Sequence, residues 1–265
     1  MKDKRMVTST PARGRRRAAG EGSRPVLGWQ AAPSSRRTSS ELGARRTGGY
    51  SEIVLQRRLL VISFSTSALA VALVLAYRVA AGSGDLDFLL WNLALAWVPF
   101  VAALALDDVR RTPLSLQLPL LALWLLFFPN APYLVSDLVH IDPWDHAATS
   151  ILGDVALVGA APAGLALGFS SLALVERSVR ERFGGRVALV LSVLSLIAAS
   201  IGIYLGRVVR LNSWDILARP RTVGGVLHRL ALDPLAHPLA AVATVALAAT
   251  LAVLYLRFRR ATVAD

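Results

Sequence analysis

The sequence predicts an all-α, polytopic transmembrane helical bundle of six spans behind a disordered basic N-terminal tail. Three observations predict it. Of 265 residues, 55% are hydrophobic and only 17% are charged, against about a quarter charged in ordinary soluble domains. Several apolar runs reach roughly 17–25 residues, long enough to cross a bilayer. The net charge of +12 is concentrated at one end: residues 1–58 hold fourteen Lys/Arg against four acids, and the rest hold fifteen Arg against thirteen acids. A soluble globular enzyme is excluded. With no Cys in the chain, a disulfide scaffold and a Cys-ligated metal site are excluded too.

Residues 1–57 come first. They are rich in Gly, Ser, Ala, Pro and Arg and lack apolar periodicity. Such a segment cannot bury enough surface to offset its ordering entropy, so it reads as a disordered cytoplasmic tail. The run Arg13-Gly14-Arg15-Arg16-Arg17 suits anionic lipid headgroups, and nucleic acid is not an expected partner. The first apolar run starts too late for a signal peptide.

The transmembrane domain, residues 58–260, carries apolar runs at Leu59–Tyr77, Phe88–Leu106, Pro113–Phe128, Ile151–Val175, Val187–Leu205 and Leu239–Leu256. In lipid each backbone must satisfy its own hydrogen bonds, so these are helices. A barrel would show alternating polarity instead. The third run is short and could be re-entrant rather than spanning.

Loop charge sets the orientation. Arg57 and Arg58 precede span one, Arg110 and Arg111 separate spans two and three, Arg177–Arg186 separate spans four and five, and Arg257–Arg260 follow span six. All fall on one side, so both termini are expected in the cytoplasm. The stretch 207–233 dissents, placing five arginines on the other side.

Within the bundle, small residues let helices approach. Ala160, Gly164 and Gly168 in span four and Ala198, Gly202 and Gly206 in span five repeat at i, i+4, i+8. These two helices are expected to cross closely. Asn92 in span two reads as an interhelical hydrogen bond.

Polar chemistry gathers near the outer ends of the spans, where ionisable groups are costly and therefore informative. Pro129 should end span three, and Asn130 can cap a short new helix. On it Tyr133, Asp137 and His140 share a face, with Asp142, Asp145 and His146 following. A phenol, a carboxylate and an imidazole suit acid–base chemistry or a divalent metal, with Asp137 and His140 as candidate ligands. The plainer alternative is an interfacial helix with its polar side in water. In the second cluster, Arg207 and Arg210 could hold an anion or snorkel to headgroups. Asn212, Ser213, Trp214 and Asp215 follow, with Asn212 and Asp215 reading equally as a helix start. Asp154, three residues into span four, is expected to pair with Arg207 or Arg210. Residues 223–232 read as an amphipathic interfacial helix.

The strings Trp91-Asn92-Leu93 to Trp97-Val98-Pro99, Leu125 to Tyr133 with Asp137-Leu138, and Tyr204-Leu205-Gly206-Arg207 with Asn212-Ser213-Trp214-Asp215 resemble an uncharacterised bacterial integral membrane family catalogued as domain of unknown function 1361. The resemblance covers roughly residues 60–256. It implies a bacterial inner-membrane protein and brings no reaction or catalytic residue with it.

The leading functional reading is a ligand-binding or metal-dependent catalytic site at the extracytoplasmic face. Tyr133, Asp137, His140 and Asp154 would be its catalytic candidates, and Asn130, Arg207, Arg210, Asn212, Trp214 and Asp215 its binding candidates. No HExxH or GxSxG motif accompanies them. The alternatives are a carrier or channel for a small solute, ion or lipid, favoured by the broken helix at Pro129–Pro132, and a structural membrane subunit.

Overall fold

Unbroken apolar runs leave a lipid-embedded backbone no partner but itself, and helices are the only regular elements among the described residues. The computed structural model describes residues 39–141, 147–211, 213, 215–232 and 238–262. Residues from Arg46 onward form one compact unit. The helices are α1 (Ser39–Ala81), α2 (Asp87–Asp108), α3 (Leu114–Phe127), α4 (Asn130–Ser136), α5 (Ala148–Phe183), α6 (Gly185–Tyr204), α7 (Asp215–Ala218), α8 (Pro220–Leu232) and α9 (Pro238–Thr262). Among the described residues, six helical stretches are long and apolar enough to cross a membrane. This is a multi-pass membrane protein.

Two boundaries differ from the sequence reading. α1 begins at Ser39, inside the segment read as tail. Polar residues before the apolar run extend the same helix and tie it down: Gln56 Nε2 donates to Asp107 Oδ2 at 2.5 Å, and Glu52 accepts from Arg110 Nη2 at 2.5 Å. The third span does not end at Pro129. Phe128 and Pro129 keep helical backbone angles, so α3, α4 and a 3₁₀ turn at Asp137–His140 run on as one span, Leu114–His140. Proline sits in the first turn of α4, where its missing N–H removes no bond that this helix would make.

α5 is the most enclosed span and packs against α2, α4 and α6, while α9 packs mainly on α6. The small-residue stripes have a different job from the one expected. A Cβ on Gly164 would strike the Ala131 carbonyl oxygen and come within 2.9 Å of Leu134 Cβ, and one on Gly168 would meet Ala131 Cβ at 3.2 Å. On α6 and just past its end, a Cβ on Gly202 would meet Pro129 Cβ at 2.6 Å, and one on Gly206 would meet Tyr133 Cε2 at 2.9 Å. Both stripes therefore seat Pro129–Leu134. α5 and α6 do pack together, but the glycines make room for the α3–α4 junction that lies on both.

The four arginine-bearing segments converge on one end of the bundle. Fully buried Asp107 accepts from Arg177 Nη2 at 2.6 Å and from Ser178 Oγ at 3.3 Å, with Arg110 Nη1 at 3.6 Å. Arg110 also reaches Glu181 at 3.0 Å. Burial pulls the Arg110 pKa down, but the Glu52 hydrogen bond and the Asp107 charge outweigh it and hold it above the ordinary guanidinium value. On the other side of α5, buried Glu176 accepts from Tyr255 Oη at 2.6 Å, pairs with Arg259 at 3.2 Å and bonds Arg180. A buried carboxylate is tolerated only when paired and hydrogen-bonded, and both are.

Candidate functional site

The opposite end holds the two sequence motifs, and they meet there. The 3₁₀ turn that continues α4 carries Asp137 to the start of α2 and the end of α6. Its carboxylate is 1% exposed. Oδ1 accepts from Arg207 Nη2 at 2.5 Å and Oδ2 accepts from Asn92 Nδ2 at 3.0 Å. Arg207 Nη2 also donates to Ser136 Oγ at 3.0 Å, and the guanidinium lies 5.0 Å from the Tyr133 ring centroid. The arginine is thus held by charge, hydrogen bond and cation–π contact together.

Backbone geometry brings it there. After α6 the chain winds as a π turn over Leu205–Val209, a wider form that recurs at functional sites. Arg210 then takes a left-handed conformation (φ 61°), and the Leu211 N–H donates back to the Leu205 carbonyl at 3.1 Å. This closes the helix much as a Schellman cap does, with an arginine where glycine is usual.

Asn130 opens α4 without capping it. The α3–α4 junction leaves the Ala131 N–H on the Phe128 carbonyl rather than on that of Phe127. Asn130 Nδ2 fills the gap, donating to the Phe127 carbonyl at 3.0 Å and to Ser213 Oγ at 2.7 Å. The amide stitches the α3–α4 junction to the segment beyond α6.

Between these contacts lies a cavity of about 180 Å³. Trp91, Asn92 and Leu95 of α2 line it, as do Leu126, Pro129, Asn130 and Tyr133 of the third span. Gly202, Leu205 and Gly206 form another wall, and Leu211, Ser213, Ile216 and Val223 complete the lining. Its depth is graded. Leu95 lies one helical turn beyond Trp91 on α2, and Gly202 of α6 lies one turn before Gly206 of the π turn. Leu95, Leu126 and Gly202 thus form an apolar floor, while the polar groups, Asn92, Asn130, Tyr133 and Ser213, all lie toward the rim among apolar neighbours. Trp91, 59% exposed, stands at the edge.

The predicted site residues fare differently. Asn130, Tyr133, Asp137 and Arg207 come together, joined by Asn92, which does make the expected interhelical hydrogen bond. His140 is turned away: Nδ1 lies 3.0 Å from the Asp137 carbonyl oxygen, and the exposed ring packs 5.4 Å from Phe88. Asp154, half-buried on α5, pairs with neither Arg207 nor Arg210. Asp137 lies closer to the π turn and takes Arg207 instead. Arg210 is exposed. Asp215 is buried and starts α7, with Arg219 Nε 3.8 Å away. Asn212, Trp214, Asp142, Asp145 and His146 lie outside the described residues. Among the described residues no three His, Asp or Glu side chains gather as a metal site. The segment read as an interfacial helix is α8, with Val223 buried against the cavity and His228 exposed.

Sequence reading missed Ser136, Ser213, Trp91 and the apolar floor. One signal was available for the ion pair. Arginine near lipid demands a carboxylate at the same depth, and Asp137 met that demand as well as Asp154 did.

The chain matches, over residues 91–254, a family described as protein of unknown function (DUF1361). No curated protein matches it, and no solved structure does.

Proposed function

The chain belongs to the DUF1361 family, whose description names no function, and we propose from the site itself that it binds a membrane-borne amphiphile at its motif end. One observation carries this reading: a cavity whose polar lining groups all lie toward the motif end, above an apolar floor. A lipid-like molecule lies the same way in a bilayer, with its head at the interface and its chain toward the midplane. Ligand sites are typically concave and apolar, with a few convergent polar groups.

The ion pair shapes the site without offering a charge. Arg207 is neutralised by Asp137 and does not line the cavity, so the anion-holding role considered for it gives way to a positioning role. The metal reading draws no support from Asp137 and His140, since both carboxylate oxygens of Asp137 are engaged by Arg207 and Asn92.

We further place the protein in the bacterial inner membrane with both termini in the cytoplasm and the basic tail against anionic headgroups. The arginine-rich end supports that orientation. Arg207, the first of the dissenting arginines, is paired, which lowers its weight in the charge count.

Native mass spectrometry of the full chain transferred to an amphipol, titrated with a dodecyl-chain amphiphile, tests the binding. The expected result is one saturable site, lost in Leu95→Phe with no fall in melting temperature. Binding that survives Leu95→Phe overturns the pocket assignment. Protease access to residues 1–38 from the cytoplasmic side tests the orientation.

A further inference from the structure

Resting on the pocket reading above, we infer that the head of the bound amphiphile is an uncharged hydroxyl-bearing group, a polyol or sugar, recognised by two fixed amide oxygens. The argument starts from which end of each asparagine is already engaged. Asn92 gives its Nδ2 to the Asp137 carboxylate. Asn130 gives its Nδ2 both to the Phe127 carbonyl and to Ser213 Oγ. A carboxylate and a carbonyl can only accept, so the amide nitrogen must face them in each case and neither amide can flip. What each asparagine has left is Oδ1, an acceptor. No described residue donates to either Oδ1, and neither is a sealed, orphaned atom. Both residues line the cavity.

The rim therefore presents two preset acceptors about the same opening. A phosphate or carboxylate head would face those two oxygens lone pair to lone pair, leaving it only the Tyr133 and Ser213 hydroxyls as donors and both amide acceptors unmet. A cationic head would meet the acceptors but also the neighbouring Arg207, whose guanidinium already occupies a face of Tyr133. A neutral head rich in O–H donors satisfies both oxygens with no charge to desolvate. The side chain of Trp91 at the edge adds an aromatic face on which a sugar ring can lie.

The test uses the full chain in an amphipol and a series of single-chain probes of one length: dodecyl maltoside, its fully O-methylated analogue, dodecylphosphocholine, dodecyl phosphate and dodecylammonium. The maltoside is expected to bind roughly tenfold or more tightly than the others: the O-methylated, phosphocholine and phosphate heads cannot donate to the two amide oxygens, and the ammonium head meets the Arg207 charge. Comparing the maltoside with its O-methyl analogue leaves the protein untouched, so folding cannot confound it. Asn92→Leu should lower maltoside affinity roughly three- to tenfold and leave phosphocholine binding unmoved. If all five probes bind alike, the pocket reading stands and the head assignment falls. A phosphate, phosphocholine or ammonium probe that binds best also overturns the assignment. If none of the probes binds, the pocket reading itself is overturned and the assignment goes with it.

Discussion

Replacing Asp137 by alanine removes the group on which both motifs converge. The carboxylate is 1% exposed and holds Arg207 at 2.5 Å and Asn92 at 3.0 Å. Stripping one partner from a buried ion pair costs about 3–5 kcal/mol, because the other charge is left without compensation. Here the stranded arginine has partial relief. It is 28% exposed, keeps Ser136 Oγ at 3.0 Å and keeps the Tyr133 ring. The expected loss is therefore about 2 kcal/mol, just below that range. Restoring neutrality should recover most of it, so Asp137→Leu with Arg207→Met should unfold within about 1 kcal/mol of the parent. The assay is SDS-induced unfolding in mixed micelles followed by circular dichroism, run on the parent, both single variants and the double. If the double variant loses as much as the two singles added together, the residues are not coupled, and the account of this end of the bundle fails.

Other outcomes follow from the same geometry. Asp107→Ala should destabilise more than Asp137→Ala, by about 4 kcal/mol in the same unfolding assay, because Asp107 is fully buried and Arg177 beside it is only 16% exposed. The reverse order would show that exposure of the stranded arginine does not set the cost. Gly164→Ala should cost about 2 kcal/mol, since its new Cβ meets the unyielding Ala131 backbone. Gly159→Ala meets only the Leu73 Cδ1 tip at 2.5 Å, which can move, so its melting temperature should stay near the parent's. Tyr255→Phe removes one donor at 2.6 Å from Glu176 while Arg180, Arg259 and Ser192 remain. About 1 kcal/mol is expected, and a collapse of the fold would mean that the arginines do not hold the carboxylate.

The sequence determined what hydrophobicity alone can determine. Long apolar runs must be helices in lipid, so the six spans and their order could be read directly, and the charge gradient gathered the arginine-bearing segments at one end. Asn92 was legible as a helix-to-helix donor because an amide in an apolar helix has no other cheap partner. Periodicity gives the face of a helix, though, and not what lies against it. Gly164, Gly168, Gly202 and Gly206 showed that something approaches closely. Only packing decided that it is the Pro129–Leu134 turn, because a helix crossing and a junction seated on both helices need the same small residues. Asp137 and Asp154 were equally placed to neutralise Arg207, and the choice fell to the π turn after α6, which no side-chain pattern announces. The cavity was invisible for the same reason: its floor is made of leucines and a glycine that look like any others in the chain until the helices around them leave a space.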